Sequence, residues 1–257
     1  MTAHLLLTIL SFTVIQQPTQ AQNQEKNLRS LLVASGVHAT LMQAQATFTT
    51  ALDTLLPAGL RTQLRAETKL CSRAFDPDSL SERVLDVWRT RLLPETVEDL
   101  LLWYSQAPGS RVRQREEFLL TANGAREYHR YEEWLKSRRP SLRRRLLLQR
   151  LEGNFPAQRS LTLSVLPLVD SLAATHSGSS ASLHGRLENV LKRMVETHWL
   201  FVFQNLTNDQ LQAYNEFLER GSSAAFLLAM RQGLERTLTH AADQAFAAIS
   251  APQRGVD

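Results

Sequence analysis

Residues 94–109 read PETVEDLLLWYSQAPG. Pro94 suits the first turn of an α-helix, where its missing N–H would be unbonded anyway, and the acidic residues after it favour the positive end of the helix dipole. Pro108 and Gly109 close the segment. The apolar residues between these ends recur at helical spacing; they are Val97, Leu100, Leu101, Trp103 and Tyr104. The stretch therefore predicts a short amphipathic helix bounded at both ends.

The same periodicity recurs along the chain, and strand alternation hardly appears. Pro57, the run Asp76-Pro77-Asp78-Ser79, Asn123-Gly124 and Pro140 are predicted breaks. Between such breaks, helices are predicted over residues 39–55, 60–75, 112–134, 183–203, 209–220 and 224–249. We expect an all-α, multi-helix bundle.

Composition limits the class of protein. The chain has 257 residues, of which 43% are hydrophobic and 21% charged, and this profile excludes disordered and collagen-like classes. Its single cysteine, Cys71, excludes an intrachain disulfide and a cysteine-based zinc site. Cys71 shares a predicted helix face with Leu64 and Phe75, which favours a small buried hydrophobe over a reactive thiol.

An internal repeat emerges when the sequence is shifted by 114 residues. The shift matches Leu100 with Tyr214 and Trp103 with Phe217, each within a helix, a short break and a second helix. Ordinary amphipathic helices would produce part of this agreement, but the turns and aromatic residues align too. We predict an internal duplication of a helix-turn-helix unit whose copies share one core.

The predicted organisation has six parts. They are a signal peptide (1–21), N-terminal helices (22–75), repeat copy 1 with an arginine-rich segment (76–155), a connecting helix and Ser/Gly linker (156–185), repeat copy 2 (186–250) and a loose tail (251–257).

Residues 93–110, and residues 206–222 in the second copy, resemble a recurrent bacterial pattern in which a capped helix ends in an aromatic pair and a small-residue turn. This pattern is similar to that of exported bacterial helical proteins of the domain-of-unknown-function family numbered two-zero-five-nine. The resemblance implies an all-α fold and export to the periplasm, and it supplies no activity, cofactor or catalytic residue. Trp103 and Phe217 are the matching positions, with core packing as their expected role.

Catalytic motifs are absent from the sequence, which contains no HExxH, no Gly-rich phosphate loop, no GxSxG and no EF-hand loop. His129 precedes Glu132 and Glu133 at helical spacing, which suits half of a metal site, but a solvated ion-pair cluster is the favoured interpretation. His198 is interpreted as a partly buried histidine. We predict no catalytic residue, cofactor or metal.

Charge is distributed unevenly. Residues 111–150 hold 12 basic and 5 acidic residues, a local charge of +7 in a chain of net charge +4. Residues 136–150, here called the arginine-rich segment, contain no acid, and leucines interleave to predict a short basic amphipathic helix. Its candidate contacts to an anionic surface are Lys136, Arg138, Arg139, Arg143, Arg144, Arg145 and Arg150. The alternative is a helix docked by its leucines, with its arginines solvated or paired to acids elsewhere.

Three functions are compatible with these patterns. The first is a non-catalytic exported helical protein that contacts another, unidentified protein of the bacterial envelope. The second is a peripheral binder of anionic lipid or another envelope polyanion through the arginine-rich segment. The third is an enzyme whose site is assembled across helices. Nucleic acid is not an expected partner, because export removes that ligand and no aromatic-rich surface accompanies the arginines.

The beginning of the chain has the layout of a secretory signal. Residues 1–15 carry no Lys, Arg, Asp or Glu, and residues 5–15 form an almost unbroken apolar run. Thr19 and Ala21 are the small residues expected before a cleavage site. As a helix the run would cover about 16 Å, roughly half the hydrocarbon core of a bilayer, which favours a signal over a membrane span.

Cleavage after Ala21 leaves 257 − 21 = 236 residues. N-terminal sequencing of protein recovered from the periplasm is therefore expected to begin at Gln22. Exported protein that still begins at Met1 would contradict the signal peptide.

Overall fold

The structure is a computed structural model that describes residues 20–55, 73–154 and 180–250. Within these ranges all regular elements are α-helices, so the predicted all-α class is confirmed. The ten helices in the described ranges are α1 (Gln20–Ala34), α2 (Val37–Leu55), α3 (Pro77–Arg91), α4 (Pro94–Ser105), α5 (Gly109–Leu119), α6 (Ala122–Ser137), α7 (Leu142–Asn154), α8 (Ser180–Val202), α9 (Asn208–Leu218) and α10 (Gly221–Ser250).

Some of the predicted features lie outside the described residues. They are most of the signal peptide (1–19), most of the predicted helix over 60–75 with Cys71, most of the connecting segment (155–179) and the tail (251–257).

The helix starts follow local capping chemistry. Asp76 precedes α3, and its Oδ2 accepts a hydrogen bond of 2.9 Å from the backbone N–H of Ser79. Pro94 occupies the first turn of α4, as predicted. Thr207 and Gln210 form a reciprocal capping box at the start of α9, which satisfies two backbone N–H groups that the helix itself leaves unbonded.

The break predicted at Asn123-Gly124 is wrong by a few residues. The chain leaves the helix at Leu120, and Thr121 caps α6 through a hydrogen bond of 3.0 Å from the N–H of Gly124 to its Oγ1. Asn123 and Gly124 therefore lie in the first turn of α6. The physical reason is that a threonine side chain can bond the N–H three residues on, which makes it a helix start.

The core forms where the helices cross. α3 packs most extensively along α10, α1 lies against α4, and α7 lies against α9. Trp88 of α3 is fully buried, and its ring meets Phe226 of α10 edge-on with ring centroids 5.3 Å apart. One hydrophobic core joins residues of α1 through α5 with residues of α7 through α10.

The turn between α1 and α2 depends on a glycine. Gly36 has φ of +78°, a left-handed conformation that residues with a Cβ rarely adopt. The space where a Cβ would stand is occupied by the carboxyl group of Glu116 from α5. The turn and α5 can therefore pack this closely only because position 36 lacks a side chain.

Gly36→Ala is expected to lower the free energy of unfolding by about 2–4 kcal/mol, through backbone strain and overlap with Glu116. The measurement is urea denaturation followed by circular dichroism. The control is Gly153→Ala in α7, where a new Cβ meets no atom within 4 Å. Alanine there is expected to leave stability unchanged or to raise it by up to about 1 kcal/mol. Equal stability of the two variants would contradict the packing of Gly36.

Candidate functional site

The arginine-rich segment is divided between two helices rather than forming one. Its first two residues end α6, and α7 begins at Leu142. Between them Arg138 has extended backbone, with φ of −134° and ψ of 143°. Pro140 explains the division, because proline cannot donate a helical hydrogen bond and disfavours helical backbone at the residue before it.

The leucines of α7 lie on both sides of the helix. Leu148 and Leu151 are buried in the core. Leu142 and Leu146, four residues apart, lie on the opposite side and are 63% and 55% exposed. The predicted amphipathic character is therefore wrong, since the apolar residues of α7 do not share one face. We call the side that carries Leu142 and Leu146 the outer face of α7.

Arg144 fastens α7 to the turn between α8 and α9. Its Nη1 donates to the carbonyl oxygen of Leu206 at 2.6 Å and to Oδ1 of Asn208 at 3.4 Å. Its Nη2 donates to the carbonyl oxygen of Phe203. Both carbonyls follow the C-terminal end of α8, and that of Phe203 also accepts a hydrogen bond of 2.9 Å from the backbone N–H of Leu206. Arg144 thus satisfies backbone groups, and all of its described acceptors are uncharged.

Two further arginines of α7 pair with α9. Arg143 contacts Oδ1 of Asp209 at 2.8 Å. Arg150 donates to both carboxylate oxygens of Glu219, at 2.7 Å and 2.5 Å. The hydrogen bond from Arg150 lowers the pKa of the Glu219 carboxyl. Arg143 and Arg150 therefore pair with acids of α9, as the alternative interpretation expects, whereas Arg144 bonds uncharged acceptors.

The other four cations of the arginine-rich segment do not contact α9 or the turn before it in the described residues. Lys136 pairs with Glu133 of its own helix at 2.6 Å. Arg138 lies over the ring of Trp134, 5.6 Å from the centroid. Arg139 and Arg145 are exposed and contact no acidic side chain of the described residues. Of the seven predicted contacts to an anionic surface, Lys136, Arg143 and Arg150 are paired with described acids, whereas Arg138, Arg139, Arg144 and Arg145 are not.

The two residues matched by the repeat touch each other. The rings of Trp103 and Phe217 are stacked, with centroids 3.6 Å apart and an interplanar angle of 5°. Tyr214 meets Trp103 edge-on at 5.0 Å. Phe217 is buried and Trp103 is partly buried against the core. This aromatic contact joins α4 to α9.

A buried polar cluster beside this contact was not predicted from the sequence. Glu116 of α5 is buried, and its Oε2 has no hydrogen-bond partner. Tyr104 and Tyr214 line the same cavity of about 20 Å³, which has room for about one water molecule. The signal in the sequence was spacing, because Val112, Glu116 and Leu119 are four and three residues apart and so share the buried face of α5.

Burial sets the protonation of this cluster. Removal from water raises the pKa of the Glu116 carboxyl to about 8, and the nearby charge of Glu117 contributes in the same direction. Burial also raises the pKa values of Tyr104 and Tyr214. All three groups are therefore neutral at pH 7. The Glu116 carboxyl can hold a proton and the cavity can hold a water molecule, but the cavity is too small for an organic substrate.

The histidines form no metal site in the part of the chain that the structure describes. Nδ1 of His129 lies 3.0 Å from Oε2 of Glu132 on an exposed helix face. Burial lowers the pKa of His198 to about 4, and its ring lies 5.2 Å from that of Trp199. In the described ranges no three His, Cys, Asp or Glu residues converge as metal ligands would.

Comparison with protein-family models, curated proteins and solved structures found no match to this chain. None of the helices in the described ranges is both long and apolar enough to cross a membrane.

Glu116→Gln is expected to remove a pH dependence of stability. The pKa of Glu116 is about 8 in the folded chain, against an ordinary value of 4.5, so the folded state holds a proton that the unfolded state has lost. The contribution of Glu116 to the free energy of unfolding is therefore fully present below about pH 4.5. It is lost as pH rises through about 8, by about 1 kcal/mol per pH unit.

Urea denaturation between pH 7.5 and 8.5 measures this fall, above most of the range in which His198 titrates in the unfolded chain, where its pKa is about 6.5. The variant should be nearly independent of pH in this window. Glu117→Gln, on the exposed side of the same helix, is the control and should keep most of the fall, because burial is the larger cause of the raised pKa of Glu116 and the charge of Glu117 the smaller one. A wild-type protein of constant stability across the window would contradict a protonated Glu116.

Proposed function

We propose that the protein is an exported, periplasmic helical protein that has no catalytic role and acts by contacting another protein of the bacterial envelope. The observation that carries the proposal is the outer face of α7, which exposes Leu142 and Leu146. Trp134, at the end of α6, is also 42% exposed. Exposed apolar and aromatic side chains of this kind are typical of the centre of protein interfaces.

The attachment of α7 supports this role. Buried leucines on the inner side and the contacts of Arg143, Arg144 and Arg150 with α9 and the turn before it hold the helix in place. A face that is held rigidly loses little conformational entropy when it binds, which favours affinity. The buried polar cluster of Glu116, Tyr104 and Tyr214, by contrast, lines a cavity that admits about one water molecule.

We also propose that the fold contains the predicted duplication, in which α3, α4 and α5 of copy 1 (76–155) match α8, α9 and α10 of copy 2 (186–250). The stacking of Trp103 on Phe217 supports it. When two copies pack about an approximate two-fold axis, equivalent positions near the axis meet each other. A relationship to the exported family numbered two-zero-five-nine, which the chain resembles, is likewise a hypothesis.

Anionic membrane binding is the second candidate. It is favoured by the exposure of Arg139 and Arg145, which contact no described acid, next to the outer face of α7. On a bilayer, Leu142 and Leu146 would enter the interface while the arginines contact lipid phosphates.

Replacing Leu142 and Leu146 by Asp is expected to abolish retention of an envelope protein in pull-downs from periplasm. Charged side chains on the outer face would have to be buried without partners at the interface. The matched control is Leu102→Asp, at a leucine that is 62% exposed on α4. A partner retained equally by both variants, or reproducible hydrolytic turnover by the purified protein, would contradict the proposal.

Sedimentation with vesicles separates the second candidate from the first. The paired substitution of Arg139 and Arg145 by Glu should abolish binding to phosphatidylglycerol vesicles if the membrane is the target. The control substitutes Lys192 and Arg193, two exposed cations of α8, by Glu. Wild-type protein that does not sediment with anionic vesicles eliminates this candidate.

A further inference from the structure

A cleft of about 650 Å³ opens between α6, the turn before α7 and the C-terminal end of α8. Its volume falls within the range of small-molecule sites, about 300–1,000 Å³. It is separate from the cavity at Glu116 and is not part of the outer face of α7. No motif in the sequence indicated it, because its walls come from segments about 60 residues apart in the chain.

One wall of the cleft is apolar and aromatic. The rings of Tyr131 and Trp134 are stacked with centroids 5.3 Å apart and an interplanar angle of 22°. The hydroxyl of Tyr131 donates a hydrogen bond of 3.3 Å to the carbonyl oxygen of Leu200, which fixes the ring. Pro140 also lines the cleft. A planar or apolar group would find a preformed surface here.

The polar side of the cleft carries uncompensated positive charge. Arg144 lines it and is only partly exposed, yet its described partners are two carbonyls and one amide oxygen, with no carboxylate among them. Its Nε makes no described hydrogen bond. Arg130 lines the cleft from α6, and its described hydrogen bond is a long one, 3.5 Å to the carbonyl oxygen of Arg126.

The acid in the cleft does not cancel these charges. Glu127 is one of the lining residues, but its Oε1 lies 2.5 Å from Nη2 of Arg115, an arginine that is itself mostly buried. The pair is neutral as a unit. Among the described residues, two arginines thus face the cleft without a counter-charge, which favours an anionic occupant.

We infer that this cleft binds a small organic anion. A carboxylate or phosphate group of the ligand contacts Arg144 and Arg130, and a planar or apolar body lies against Trp134 and Tyr131. The inference does not depend on the proposed function, because a protein that contacts an envelope partner and one that does not can both carry such a site.

Fluorine NMR of the purified full chain tests the charge requirement with two probes of the same shape. The anion para-trifluoromethylbenzoate is expected to bind, and the neutral para-trifluoromethylbenzamide to bind about tenfold more weakly, because it cannot form charge-assisted hydrogen bonds. Acetate should compete poorly, since it lacks the planar body. Equal binding of the benzoate and the benzamide would overturn the inference.

Three variants test whether the benzoate probe binds in this cleft. Arg130→Gln and Trp134→Ala alter partly or fully exposed side chains, and each is expected to weaken benzoate binding about fivefold or more. Arg126→Gln, one turn earlier on the same exposed side of α6, is the control and should leave it unchanged. Benzoate affinity that is the same in all three variants would overturn the site even if the probe binds. Because neither Arg130 nor Trp134 fastens helices together, the test does not depend on Arg144→Gln folding.

The anion could come from a soluble metabolite or from a lipid headgroup, and competition distinguishes the two. Displacement of benzoate by vesicles of phosphatidylglycerol, but not of phosphatidylcholine, would assign the site to a lipid headgroup. Displacement by soluble phenyl phosphate without any effect of vesicles would assign it to a soluble ligand. Either result supports an anion site at Arg130 and Arg144.

Discussion

The flat contact between the rings of Trp103 and Phe217 joins α4 to α9. On one side α4 is packed against α1 and α10, and on the other α9 carries α7. The stacked rings lie 3.6 Å apart, with Phe217 buried and Trp103 partly buried, so this contact holds α9 at a defined position. The arginine contacts of α7, its outer face and the cleft beside it are all built on that position.

The helices themselves could be read from the sequence because their signals are local. Pro94 and Asp76 mark helix starts through hydrogen bonds made within one turn, and spacing identifies the buried side. The break before α6 was misplaced because Asn123-Gly124 is a strong turn signal, whereas the Thr121 side chain bonds the backbone as a helix cap. The threonine cap, and not the Asn-Gly turn signal, determines where α6 begins.

The candidate sites could not be predicted in the same way, because they depend on distant contacts. Runs of leucines and arginines follow one another along α7, and only its packing on α9 decides that Leu148 is buried and Leu146 exposed. The partners of Arg144 lie about 60 residues away in the chain. The cleft combines α6 with the end of α8. The sequence locates the arginine-rich segment and leaves open whether its cations face an anionic surface or pair within the fold, and only distant contacts decide this for each residue.

The contact between Gly36 and Glu116 has an evolutionary consequence. One small space lies between α5 and the turn that joins α1 to α2, and the carboxyl group of Glu116 fills it. A homologue that acquires a side chain at position 36 must shorten the one at position 116, and a glycine at 36 leaves a void if 116 becomes alanine. The two positions are therefore coupled, and descendants of this sequence should change them together or keep both.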